Sequence, residues 1–185
     1  MTVRRKLHRF TVSEYDRLIA HGILKEDARV ELIRGEILSK LPIGDAHIAA
    51  VNRLNRLFGL AVDDDVIVST QNPVRLADSE PEPDVVLKWS RESAQGKPSP
   101  PDILLLIEVA DSSLEDDREV KGPLYAENGI AEYWIVNLTD RCLEVHRGPQ
   151  PGGTYSDVRT LRPGDRAEVA ALAGVTVEVA TVLGG

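Results

Sequence analysis

Cysteine is almost missing from this chain. Its one example, Cys142, excludes an intramolecular disulfide and a cysteine-cluster metal site, and this usage suits a reducing cytoplasm. Cys142 lies in a strand-like run and reads as a small core residue. Aromatic residues make up 4% of the chain. No stretch reaches the roughly 18 apolar residues that cross a bilayer, and the N-terminus lacks the apolar core of a signal peptide. A cytoplasmic protein without membrane contact is therefore expected. Positive charge is also scarce: 22 Lys and Arg stand against 30 Asp and Glu, a formal net charge of -8. That balance argues against a protein that coats nucleic acid by bulk electrostatics, but not against an enzyme whose acids hold a cation.

What remains suits a globular enzyme. With 185 residues, 42% hydrophobic and 28% charged, the chain can bury a sizeable core, and residues 11–185 are expected to form a single domain behind a basic arm at 1–10. Arg4, Arg5, Lys6, His8 and Arg9 make that arm either a solvated tail or a phosphate contact. Thr11 and Glu14 have capping-box spacing, so a helix should start there and end before Gly22. Arg29–Ile33 and Glu36–Leu38 flank Arg34-Gly35 as a β-hairpin.

Asp45 is a plausible N-cap for a helix with Ile48, Val51, Leu54, Phe58 and Ala61 inward and Arg53 and Arg56 on the other side. Asp63-Asp64-Asp65 is a solvated loop, lacking the other ligands of a calcium loop. Val66–Thr70 should be a strand, and Val74–Leu76 a short extended piece.

Pro83-Asp84 heads an apolar strand through Leu87. A loop over Ser90–Pro101 precedes the uninterrupted run Ile103–Val109, which suits a central strand covered on both faces and closed by Glu108. Glu115–Asn128 is predicted as one helix ended by Gly129, with Val120 and Leu124 inward and Lys121 and Tyr125 sharing a flank. Ser112 and Ser113 would cap it. Glu132–Val136, Cys142–His146, Thr154–Leu161 and Val175–Val179 complete the strands, with a turn at Asn137–Asp140 and a break over Gly148–Gly153. The expected fold class is α/β (α+β): a mixed sheet with helices on its faces and a β-hairpin extension at each end.

The chemistry rests on Asp84, Glu108 and Lys121, with Glu31 and His47 as possible additions. Carboxylates beside buried apolar runs cost several kcal/mol unless a cation or hydrogen bonds compensate them. Two that converge suggest a site for a hard divalent cation, Mg²⁺ or Mn²⁺, with Asp84 and Glu108 as ligands and a lysine that orients water or stabilises a phosphate. Each residue also has a structural alternative. Asp84 can be a strand-start acid, and Glu108 can pair with an arginine. Lys121 can bridge to Asp117 one turn earlier, Glu31 can face solvent, and His47 can cap or pack. Tyr125 and Trp134 read as core.

These elements together resemble a known family. Val30-Glu31-Leu32-Ile33-Arg34-Gly35-Glu36, His47, Pro83-Asp84-Val85-Val86, Ile107-Glu108-Val109, Lys121 with Tyr125, and Gly129-Ile130-Ala131-Glu132-Tyr133-Trp134 are similar to the Uma-type branch of the PD-(D/E)xK nuclease superfamily. The resemblance runs from about residue 11 to 180. It implies a restriction-endonuclease-like fold and a Mg²⁺-dependent endonuclease acting on DNA. Ala110 stands where the superfamily usually has lysine, so Lys121 would supply the amine from the following helix. A homodimer is expected if both strands of a duplex are cut. Two other readings compete: a nucleic-acid-binding or assembly module with a degenerate site, and a glycosidase carboxylate pair, which the few aromatics disfavour.

Overall fold

Apolar residues along four consecutive strands, Val85–Trp89, Ile103–Ala110, Glu132–Asn137 and Cys142–Gln150, build the centre of the molecule. The computed structural model describes residues 7–25, 28–91 and 96–185; Arg4, Arg5 and Lys6 of the basic arm lie outside them. A six-stranded mixed sheet has the order β3 (Val66–Thr70), β4 (Val85–Trp89), β5 (Ile103–Ala110), β6 (Glu132–Asn137), β7 (Cys142–Gln150) and β8 (Thr154–Leu161). Every neighbouring pair is antiparallel except β5 and β6, which run parallel across a helical crossover. Two small antiparallel sheets flank it, β1 (Val30–Ile33) with β2 (Glu36–Ser39), and β9 (Arg166–Glu168) with β10 (Thr176–Glu178).

Period-two alternation divides the core between the two faces of the sheet. Leu105, Ile107, Trp134 and Val136 pack with Leu54 and Phe58 of α2 (Asp45–Ala61) and with Val182 of α5 (Val179–Leu183). Leu106, Ala110, Tyr133 and Ile135 pack on the other face with Leu124 and Tyr125. Glu132 fastens the C-terminal segment to the sheet: its buried carboxylate accepts from Trp134 Nε1 at 2.7 Å, Arg147 Nε at 2.8 Å and the Ala170 amide at 2.8 Å. Glu132→Ala strands those donors and is expected to cost about 2–3 kcal/mol in urea unfolding. A cost within error would mean that this junction tolerates their loss.

The N-terminal elements follow their local signals. Thr11 and Glu14 form the reciprocal capping box of α1 (Val12–Ala20). Arg34 and Gly35 both take positive φ, 49° and 76°, in the β1–β2 turn. A Cβ on Gly35 would lie 2.7 Å from Arg9 Cβ, so close packing also requires glycine there. Arg9 is exposed and pairs with Glu36 at 2.8 Å.

Several expectations need correction. Gly44, not Asp45, occupies the N-cap of α2, and no side chain caps it. The inward stripe is His47, Ala50, Val51, Leu54 and Phe58, while Ile48 and Ala61 are exposed. A polar histidine sits at an inward position because it has a buried partner, which hydrophobicity alone does not register. Arg53 is half-buried and donates to the Val182 carbonyl at 3.3 Å.

Val74–Leu76 joins no strand, its amides bonding to the Pro81, Pro98 and Ser79 carbonyls. The break predicted over Gly148–Gly153 shrinks to the turn at 151–153, because β7 runs on through Pro149 opposite Tyr155 of β8, past Arg147, the last residue paired to β6, so no β6 residue stands opposite the proline. The last strand is Thr176–Glu178, and Val179 already begins α5.

The predicted helix over Glu115–Asn128 is also not uniform. It comprises α3 (Leu114–Asp116), a π-helical turn over Asp117–Lys121, and α4 (Gly122–Glu127). Gly122 N–H bonds to the Asp117 carbonyl five residues back, and Pro123 has no amide with which to continue the usual ladder. Ser113 sits at the N-cap of α3, yet its hydroxyl donates to Asp117 Oδ2 at 2.6 Å rather than capping the helix.

Candidate active site

Strand register brings the two acids together. Val85 pairs with Ile107 and Val86 with Leu106, so one step further along the antiparallel ladder Asp84 stands opposite Glu108. Alternation places Glu108 on the face shared by Leu106 and Ala110, the face that the π turn and α4 cover. Glu108 does not close its strand, which continues to Ala110. The Asp84 amide donates to Glu108 Oε2 at 3.4 Å, and Asp84 Oδ2 accepts from the Val109 amide at 2.8 Å.

Lys121 reaches Glu108. Its Nζ lies 3.1 Å from Glu108 Oε1, 3.8 Å from Asp117 Oδ1 and 3.9 Å from Glu31 Oε1. The expected Asp117 pairing therefore exists, but the shortest contact is to Glu108. Ala110 shares that face and is fully buried, so an amine delivered from the covering helix reaches the acid from the same side. Tyr125, one turn beyond Lys121, donates to the same Glu108 Oε1 at 2.7 Å. Two donors thus meet at one carboxylate oxygen.

Glu31 is buried, not solvent-facing; its Oε2 accepts from the Glu82 amide at 3.2 Å. His47 Nε2 lies 2.9 Å from Asp84 Oδ2. A carboxylate accepts only, so Nε2 carries the proton, and Nδ1 is buried with no hydrogen-bond partner among the described residues. His47 is thus not a helix cap; it packs inward with its imidazole bonded to Asp84. Trp134 is core, as expected, on the opposite face.

Sequence reasoning missed two members of the site. Asp117, 1% exposed, was visible only as the i,i+4 partner of Lys121. Tyr125 looked like core because its ring is indeed buried; nothing in the sequence marks where its hydroxyl ends.

The electrostatics follow from burial. Desolvation raises the Glu108 carboxyl above its ordinary range, opposed by Lys121 and reinforced by Asp84, Asp117 and Glu31. Asp117 is pushed up to about 6, again by burial, with Lys121 and the Ser113 hydroxyl opposing it. Burial would lower the Lys121 amine, but Glu108, Glu31 and Asp117 together hold it in its charged form, above its ordinary value.

The acids line a cleft of about 370 Å³ walled on one side by Leu38, Lys40, Leu41 and Ile43. Among the described residues, no group of three or more His, Cys, Asp and Glu side chains is arranged to hold an ion. The donor set nevertheless suits Mg²⁺, which takes one or two carboxylates and keeps waters for the rest. Asp84 Oδ1 accepts no hydrogen bond among the described residues, and Glu108 Oε2 accepts only the long one from the Asp84 amide. One hard oxygen of each acid is left for a ligand.

The family model described as "Uma2: Putative restriction endonuclease" matches residues 12–180. The chain belongs to the Uma2 family. The fold of this Uma2 protein is similar to that of a crystal structure from Anabaena variabilis ATCC 29413, described as a "putative nuclease belonging to DUF820". The two share a TM-score of 0.74 at 15% identity, over 95% of this chain and 98% of that one. No curated protein matches the Uma2 chain. Among its described residues, no helix is long and apolar enough to cross a membrane.

Proposed function

We propose that this Uma2 protein is a metal-dependent nuclease that hydrolyses phosphodiester bonds of DNA, with Asp84 and Glu108 holding Mg²⁺ or Mn²⁺. The observation that carries the reading is the meeting of Asp84, Glu108 and Lys121 on one face of the sheet, within a cleft, from three separate stretches of chain. The family description and the fold likeness support it.

When bound, the cation would polarise the phosphate and compensate the buried carboxylates. The chain's own residues divide the remaining work. The charged Lys121 amine donates hydrogen bonds and stabilises negative charge developing on the phosphate, a role for a fixed cation in a desolvated site. His47 and the Val109 amide hold Asp84 Oδ2, which fixes the orientation of that carboxylate. Glu31 stands near Lys121 and helps to keep it charged.

Tyr125 is a positioning residue in this scheme. With Lys121 it occupies Glu108 Oε1 and leaves Oε2 for the ion. Tyr125→Phe is expected to weaken Mn²⁺ binding about tenfold in calorimetry, the scale found when a ligand loses its supporting hydrogen bond. Unchanged affinity would remove Tyr125 from the site.

The activity test incubates purified protein with plasmid and single-stranded DNA in Mg²⁺ or Mn²⁺, with EDTA and Asp84→Asn protein as controls. Cleavage above both controls is expected. Cleavage equal to the Asp84→Asn background on every substrate would contradict the reading. Nucleic-acid binding that ignores EDTA and loss of Glu108 would instead mark a non-catalytic module.

A further inference from the structure

We propose that the substrate is a single-stranded or locally unpaired stretch of nucleic acid, whose base beside the scissile phosphate packs on the rim formed by Leu38, Leu41, Pro42 and Ile43. This rests on the nuclease reading above and narrows it.

Depth is the first argument. Asp84, Glu108 and Glu31 are only 8%, 3% and 7% exposed, at the floor of a cleft of about 370 Å³. That volume lies at the small-ligand end of binding pockets, which run from about 300 to 1,000 Å³. Duplex DNA is stiff over roughly 150 base pairs and carries its phosphates on a wide rod, so it cannot fold a phosphate down into such a space without deformation. A single strand turns freely enough to enter.

Charge moves the weight of recognition away from the phosphates. Seven carboxylates line the cleft against three basic side chains, Arg29, Lys40 and Lys121. Two of the three already face a carboxylate, Lys40 bonding to Glu82 at 2.9 Å and Lys121 to Glu108 at 3.1 Å, while Arg29 donates to the Leu41 carbonyl at 2.9 Å. Phosphate contacts hold duplex and single strand alike, and with few basic groups in this cleft the apolar rim has to carry more of the recognition.

The rim supplies a different kind of contact. Leu38, Leu41 and Ile43 are 38%, 54% and 39% exposed along one wall of the cleft that holds the acids. Arg29 grips the Leu41 carbonyl, and the Lys40 amide bonds to the Arg29 carbonyl at 2.8 Å, so the rim is anchored to the strand that carries Glu31. A fixed apolar edge beside a polar floor suits an unstacked base next to a phosphate. A paired base, with its faces covered by neighbours in the stack, has no surface to give it.

The test compares cleavage of one labelled oligonucleotide sequence as DNA single strand, DNA duplex and RNA single strand in Mn²⁺. It uses wild type and the double variant Leu41→Ser with Ile43→Ser. The altered side chains are exposed, and an unchanged melting temperature serves as the folding control. Single strands are expected to be cut at least about tenfold faster than the duplex, and the double variant to raise KM for single strands about tenfold, a change of about 1.4 kcal/mol. Duplex cleaved as fast as single strand, or a rim variant with unaltered KM, would overturn the inference while leaving the nuclease reading in place. So would a variant that only turns a dimer into a monomer, which would make the rim an interface between copies. Wild-type protein that cuts nothing above the Asp84→Asn background would overturn both.

Discussion

Lys121→Met is expected to destabilise the protein by about 3–5 kcal/mol near pH 8 and by clearly less near pH 5, because it leaves Glu108, Asp117 and Glu31 buried without their common cation. The direction follows from proton linkage. Glu108 and Asp117 titrate above their ordinary values of 4.5 and 3.8 in the folded state. Between those ordinary values and the raised ones the folded protein holds protons that the unfolded chain has released, so stability falls as pH rises through that window. Lys121 limits the rise of both carboxyls, and its loss deepens and extends the decline toward alkaline pH. Below the ordinary values both states are protonated and the variant loses less. Urea unfolding at the two pH values measures this; equal deficits would mean that Lys121 acts through packing alone.

Asp84→Asn is expected to lower phosphodiester hydrolysis by about a thousandfold or more, since Lewis-acid stabilisation is worth several kcal/mol and each 1.36 kcal/mol is a factor of ten. The fold should survive. The asparagine carbonyl can still accept from the Val109 amide or from His47, the two partners of Asp84 Oδ2, so thermal unfolding is expected to move only modestly. Single-turnover cleavage with saturating Mn²⁺, alongside the melting temperature, separates lost chemistry from lost structure. A variant that retains a tenth of the wild-type rate would show that Asp84 is not an essential ligand.

The sheet was legible because its signal is local. Ile103–Val109 and Glu132–Val136 are apolar enough to be central strands on any register, and the capping box and the Arg34-Gly35 turn announce themselves in a few residues. The acid pair was only half legible. Asp84 and Glu108 each stood out beside an apolar run, but their juxtaposition depends on Val85 pairing with Ile107, a long-range fact.

Lys121 was harder still. The residue was a candidate, but its reach follows from a π turn set by Gly122 and Pro123, which a uniform 3.6-residue reading of the helix does not contain. Ile48 was placed on the inward side of α2 in place of His47 for a related reason: apolar periodicity puts the hydrophobic residue inward and cannot see that Asp84 waits for the imidazole. A local backbone irregularity in one case and a tertiary hydrogen bond in the other override a pattern that is otherwise sound.

The nuclease account depends on whether the free oxygens of Asp84 and Glu108 take up a hard cation. Titrating Mn²⁺ into wild type, Asp84→Asn and Glu108→Gln by calorimetry, with melting temperatures taken in parallel, tests this most directly. Saturable binding by wild type, lost in both folded variants, is the predicted result. An identical isotherm for all three proteins, or none for wild type at millimolar Mn²⁺, would contradict it.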